Sequence, residues 1–432
     1  MSKQLTVTAT GDALFVAKFP DYYDEQKNTL KEFINSHSLK ITNLETNLSD
    51  FGHFANAYSG GTWINTPKEY FSHLSSLGFN FYGTANNHCM DYSHYGLTST
   101  IDYLDSLNLA HAGTGKDLYD AEKPAILNLD GNKVAIFAID TSFEPASMAG
   151  YPTKNFKGRP GVNYLRHSKT FTITKEEMQA LKDLAKKTSI NFDKELHVRT
   201  GYATADKDGT FNFGGISFTT NENEPITKCN KKDKQRLLSL IKNAKKECDY
   251  VFVLIHCHAN DLVNHANPPA FLEEFCHECI DNGVSAIFGG GCHQLRKVEI
   301  YKNKPIFYSL GDFIYQGPQV EKLPADFMLK YDADINLSAK DALLVRSQNN
   351  KIGLHTDKAN YLSFLPSLSF DGENLSSIKL LPIELNFDSE NLLNGLPKIA
   401  KGKDALEIVQ VLNDLNTTGE KFEMENGYII IK

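Results

Sequence analysis

No stretch of the 432-residue sequence approaches the ~18 consecutive apolar residues of a membrane-spanning helix. The first residues, MSKQLTVTATGDALF, also lack an apolar run of signal-peptide length. These absences read as a cytoplasmic chain with no membrane anchor. Basic charge is scarce as well. The net charge is -8, which argues against a protein that holds nucleic acid on a basic surface. Internal repeats and low-complexity tracts are missing, which excludes a solenoid or propeller. The seven cysteines are an odd number without regular spacing, which excludes a disulfide framework. Cys276 and Cys279 form a CxxC on an amphipathic helical stretch, but a structural zinc site needs four ligands. What remains is an ordinary globular composition, 41% hydrophobic and 23% charged, in a chain long enough for two or three structural units.

Polar side chains gather where apolar runs end. FNFYGTANNHCMD is an aromatic strand pattern that stops at Asn86, Asn87, His88 and Asp91. YVFVLIHCHAN is a continuous apolar run that delivers His256, His258 and Asn260. SAIFGGGCHQL delivers three glycines, Cys292 and His293. Earlier strands end at Asp12 and at Asn43 and Glu45. Open α/β sheets place active sites at the carboxyl ends of their strands, so these groups are expected in one crevice.

Strands and helices alternate at short intervals over 1–142 and 226–317, the pattern of a layered α/β sandwich. Within it, 124–129 and 133–139 form a hairpin turning at Asp130-Gly131-Asn132. A helix is expected at about 67–77. Residues 143–225 break the alternation with Pro145, Pro152, Pro160, one helix near 175–187 and a possible hairpin over 201–215. They read as an insertion over the active-site edge. Residues 318–432 read as a C-terminal α+β extension, with strands at 341–347, 352–360, 376–385 and 427–431 and a helix at 403–413.

Carboxylates, imidazoles and carboxamides in one crevice suit either of two chemistries. They bind one or two divalent metals, or they form a metal-free acid–base site. Residue types alone leave both open.

GDALF, NLET, ANNHCMDYSHYGL and GGGCHQLRKVEIYKNKPIFYSLGDFIY resemble, in this order, the CapA-type family of capsule and poly-γ-glutamate biosynthesis proteins. The resemblance covers about 1–317 outside the insertion. It implies a calcineurin-like metallophosphoesterase fold. It also implies that Asp12, Glu45, Asn87, His256 and His293 stand at metal-ligand positions, a site that this chain's departures from the family pattern reduce to none or one divalent ion (Mn, Zn or Mg). His88 falls on the substrate-facing histidine, and Asp91 on the carboxylate that steadies it.

The departures matter. The family's common GHHPH is GGGCH here, so an imidazole ligand is missing at Gly291. The common HWGxE is HCHAN, which puts His258 and Asn260 at new positions. Asp312 stands where Asn is usual. His258 is a candidate to compensate for Gly291. The catalytic set is then His88, Asp12, Asp91, His256, His293 and Cys292, with Asn43, Asn86, His258 and Asn260 on the substrate.

The resulting expectation is an enzyme acting on a peptide or γ-glutamyl polymer at a reduced or absent metal site, for example as a peptide epimerase. The alternatives are a metal-dependent phosphoesterase and a non-catalytic partner in capsule synthesis.

Overall fold

In the computed structural model the described residues are 4–207, 209–387, 389, 392–416 and 419–432. Two sheets stack face to face, and helices cover the outer sides. The first sheet is built on β1 (Gln4–Leu14), β2 (Leu39–Leu44), β3 (Phe81–Gly83) and β4 (Ala110–Ala112), all parallel. The second holds β5 (Ala125–Leu129), β6 (Asn132–Asp140), β7 (Tyr250–Cys257) and β8 (Ala286–Gly291). There β6, β7 and β8 run parallel, while β5 and β6 form the expected hairpin. The architecture is a metallophosphoesterase-like sandwich with added elements.

The period of two along a strand sorts each residue to one face. On β7, Tyr250, Phe252 and Leu254 join the core between the sheets, beside Leu5, Val7 and Ala9 of β1 and Ile41 of β2. Val251, Val253 and Ile255 face the opposite way, onto α1 (Lys231–Glu247) and α2 (Ala270–Asp281). Both faces are buried, which explains why this strand reads as a continuous apolar run. Phe252→Ala would hollow the layer between the sheets, at a cost of ~3–5 kcal/mol. The same parity carries on to His256, which continues the inner-facing series at the strand's end.

β1 reaches its functional end differently. Its register against β2 shifts between Ala9 and Asp12, a bulge that moves Asp12 out of the odd-numbered inward series and still aims it inward. Gly11 permits the bulge, because a Cβ there would lie 1.7 Å from the carbonyl oxygen of Gly311.

The C-terminal residues add to the first sheet. β9 (Leu362–Asp371) pairs antiparallel with β1, and β10 (Asn374–Glu384) pairs with β9. Two expected strands are corrected here. Residues 341–347 fall in a helix, Ala339–Arg346, whose N-cap Ser338 accepts from the Asp341 N–H. Residues 352–360 fall in two short 3₁₀ turns, Leu354–Thr356 and Lys358–Tyr361. A short continuous apolar run, Ala342 to Val345, fits a buried strand or a helix, and here a side-chain cap supports the first helical turn. The edge of β1 is instead covered by β9, ten residues further on.

The helix expected at 67–77 is shorter, a 3₁₀ turn and then Phe71–Ser75. Residues 143–225 carry two helices, Lys175–Thr188 and Phe192–Arg199, and their hairpin lies at 210–219 rather than 201–215. Among the described residues no helix is long and apolar enough to cross a membrane.

Candidate functional site

The strand ends converge on one buried carboxylate, Glu45. Its Oε1 lies 3.5 Å from His256 Nε2 and 3.8 Å from His88 Nε2. Neither Glu45 oxygen has a hydrogen-bond partner, although both are buried. Burial and the neighbouring Asp12, Asp312, Asp140 and Asp91 push its carboxyl well above the usual range. A buried acid without partners is costly unless a cation or proton satisfies it.

Two groups of metal-ligating atoms meet there. Asp12, Glu45 and His256 form one, and Glu45, His258 and His293 form the other; in each the ligand atoms lie within 4.8 Å of one another. Glu45 belongs to both. Either group could hold a single divalent metal, and the orphaned oxygens of Glu45 are what such an ion would satisfy. Asn87 Oδ1 stands 2.8 Å from His256 Nε2, on the edge of the first group. His258, expected on the substrate side, therefore belongs to a ligand group as well.

Asp12 is held from three directions. Asn43 Nδ2 and the Gly291 N–H donate to its two oxygens, and His256 Nδ1 lies 3.5 Å away. Burial alone would raise its carboxyl, but these contacts keep it below the usual value. A Cβ at Gly290 would sit 2.5 Å from Asp12 Oδ1, and Gly291 has φ +105°. The glycines that replace the family's histidines thus pack the backbone against Asp12.

Two imidazoles have Nδ1 clamped by a buried carboxylate. His88 Nδ1 is 2.6 Å from Asp91 Oδ2, and Asp91 also accepts from the Gly60 and Ile64 N–H groups. His293 Nδ1 is 3.0 Å from Asp312 Oδ2, and this pair pushes the His293 pKa up against the opposing pull of burial. A carboxylate at Nδ1 fixes the neutral ring's proton there and leaves the lone pair on Nε2. His293 also sits at φ +61°, a left-handed conformation that costs a non-glycine residue on the order of 1 kcal/mol. His258 differs: burial and then His256, His293 and His88 push its pKa well below the usual value, so it is neutral.

His88, His258 and His293 line a cavity of about 360 Å³ together with Tyr315, Gly60, Thr62 and Arg346. The remaining expected residues lie outside it. Asn86 braces the loop, accepting from the His88 N–H and donating to the Leu44 carbonyl. Asn260 caps its own turn by accepting from the Leu262 N–H. Cys292 is fully buried, and its thiol donates to the Gln294 carbonyl at 3.2 Å.

Several positioning residues carry no motif of their own. The Thr141 N–H and hydroxyl both donate to the His256 carbonyl, and Ser142 Oγ accepts from the His258 N–H. Arg296, fully buried, donates to the carbonyls of Cys257, Ala259 and His265. Asp140 ends β6 with one oxygen unpartnered, and burial pushes its carboxyl up to about 6. Its position at the end of an apolar strand was the available signal.

A family model described as "Bacterial capsule synthesis protein PGA_cap" matches residues 6–317. The chain belongs to this family. It is similar to the PGA biosynthesis protein CapA of Bacillus subtilis, 24% identical over 58% of this chain and 47% of that protein. The capsule biosynthesis protein CapA of Bacillus anthracis is 22% identical over 58% of this chain and 44% of its own length. Likeness over nearly the full length comes from an uncharacterized protein, y4sH, of Sinorhizobium fredii: 27% identity over 99% of this chain and 93% of that one.

Proposed function

We propose that this chain is an enzyme that acts on a peptide or γ-glutamyl-type substrate by acid–base chemistry, with at most one divalent metal at Glu45. The observation that carries the reading is the pair His88–Asp91 and His293–Asp312. Two imidazoles line one cavity, and each is held at Nδ1 by its own buried carboxylate. Epimerisation needs such a pair. One group takes the proton from a substrate Cα–H, and a second, protonated group returns a proton to the opposite face. In this reading His88 and His293 fill those roles, while Asp91 and Asp312 hold the rings in register. His258, kept neutral, accepts a hydrogen bond or a metal without adding charge. An ion held by Asp12, Glu45 and His256, with Asn87 beside them, would leave His293 Nε2 free for the proton, whereas an ion in the second group, Glu45, His258 and His293, would take that nitrogen. A bound divalent ion would polarise a substrate carbonyl and acidify the adjacent Cα–H. The names of the Bacillus relatives, concerned with PGA and capsule biosynthesis, support a γ-glutamyl substrate.

A second reading, a metal-dependent phosphoesterase, is favoured by one observation: Glu45 is shared by both ligand groups, as a bridging carboxylate would be.

One experiment separates them. The protein is incubated in D₂O with γ-glutamyl oligomers and, separately, with bis(p-nitrophenyl) phosphate plus Mn²⁺. Acid–base chemistry at Cα predicts deuterium incorporation and D-residues on chiral analysis. Phosphate-ester hydrolysis without Cα exchange would replace this reading with the phosphoesterase.

A further inference from the structure

Arg346 ends the helix Ala339–Arg346 and lines the cavity that His88, His258 and His293 share. Its guanidinium lies over the Phe327 ring, 5.8 Å from the centroid, and Nη1 donates to Thr62 Oγ1. Thr62 belongs to the loop whose Gly60 binds both Asp91 and Asn87. The guanidinium is thereby tied, through one short loop, to the His88–Asp91 pair.

What Arg346 lacks is an acid. Among the described residues it makes no ion pair, and no Asp or Glu lines the cavity. Three other arginines are matched, Arg166 to Asp233, Arg236 to Glu122, and the buried Arg296 to three carbonyls, while Arg159 and Arg199, which also make no ion pair among the described residues, are exposed and outside the cavity. A guanidinium offers five N–H donors, and Arg346 uses one on a neutral hydroxyl. A half-buried, always-charged fork beside four imidazoles, those of His88, His258, His265 and His293, is a site for an anion.

We infer that Arg346 anchors a carboxylate of the substrate, an assignment that rests on the peptide or γ-glutamyl reading of the same site. One guanidinium supplies a single positive charge in planar, bidentate form, which matches a carboxylate. A phosphate dianion would want a second cation. No Lys or second Arg among the residues lining the cavity provides it. Every unit of a γ-glutamyl chain carries a free α-carboxylate, so the anchor would set the distance from that group to the histidines.

The test is calorimetric titration of the metal-free, full-length protein with γ-glutamyl tetramer, its fully amidated form, glutarate and inorganic phosphate. Arg346→Met keeps the stem over Phe327, and Arg346→Lys keeps the charge without the fork. The wild type should bind the tetramer about tenfold or more tighter than its amide. Arg346→Met should lose that difference, Arg346→Lys should retain part of it, and glutarate should follow the tetramer. Equal binding of acid and amide by the wild type would overturn the inference. So would unchanged tetramer and glutarate binding in Arg346→Met, wild type that binds no glutarate, or phosphate bound tenfold tighter than glutarate. If glutarate binds through Arg346 while the tetramer does not bind, the γ-glutamyl reading fails and the carboxylate anchor stands.

Discussion

The two clamped histidines are held alike and built differently. His88 and Asp91 are three residues apart in one loop, and the carboxylate also receives two backbone N–H groups from the loop at 60–64. His293 and Asp312 come from separate segments, nineteen residues apart, and the Asp312 side chain has only the imidazole as a hydrogen-bond partner among the described residues. The first clamp also organises a cavity wall. The second orients one ligand-capable ring. Loss of the first should therefore spread further.

The largest effect is expected at the first clamp. His88→Gln should lower turnover by ~10²–10⁴-fold, the usual contribution of a general acid or base. The fold should persist, because Asp91 keeps its two backbone donors. Near-normal turnover would remove His88 from the mechanism.

The carboxylates themselves sharpen the contrast. Asp91→Asn should reduce activity and also loosen the 60–64 loop, read as faster amide exchange at Gly60 and Ile64. Asp312→Asn restores the side chain usual in the family and should leave exchange unchanged. It should lower turnover by releasing His293, and weaken an ion in the second ligand group by ~10–100-fold, the size typical of partners that orient a ligand. Equal loop exchange in the two variants would dissolve the distinction.

A third expectation concerns Asp140, the buried acid at the end of β6. Asp140 has a carboxyl raised to about 6 from 3.8. A raised acid binds protons more tightly in the folded state. Its contribution to stability is therefore full below the unfolded value and lost as pH rises through the folded one. For metal-free protein that loss is on the order of 1 kcal/mol between pH 5 and 7.5. Asp140→Asn should flatten this slope in urea titrations at the two pH values. An unchanged slope would place the titration elsewhere.

The smallest effect belongs to Cys292. Its thiol is satisfied inside the glycine turn and does not line the cavity. Cys292→Ala should keep activity within a few fold. Collapse of activity, with loss of deuterium exchange at Cα, would make the thiol an acid–base partner.

The contrast also explains how much was legible in the sequence. β7 and the loop after β3 announce themselves, because apolar runs that end in His and Asn are local patterns. The layered α/β class follows from the same alternation. The bulge at Gly11, which aims Asp12, depends on Gly311 three hundred residues away and has no local signature. The Asp312 clamp and the Arg296 brace are likewise long-range. The helix ending at Arg346 reads as a strand because four consecutive apolar residues, Ala342 to Val345, also fit a short buried strand, and its Ser338 cap decides the matter. Strand-end chemistry is local; what orients it is tertiary.

The most direct test of the account is the metal content of protein purified without added metal. The account predicts one equivalent or less per chain, with Cα exchange depending on His88. Two equivalents of Mn or Zn that survive dialysis, and that leave together with activity in chelator, would contradict it.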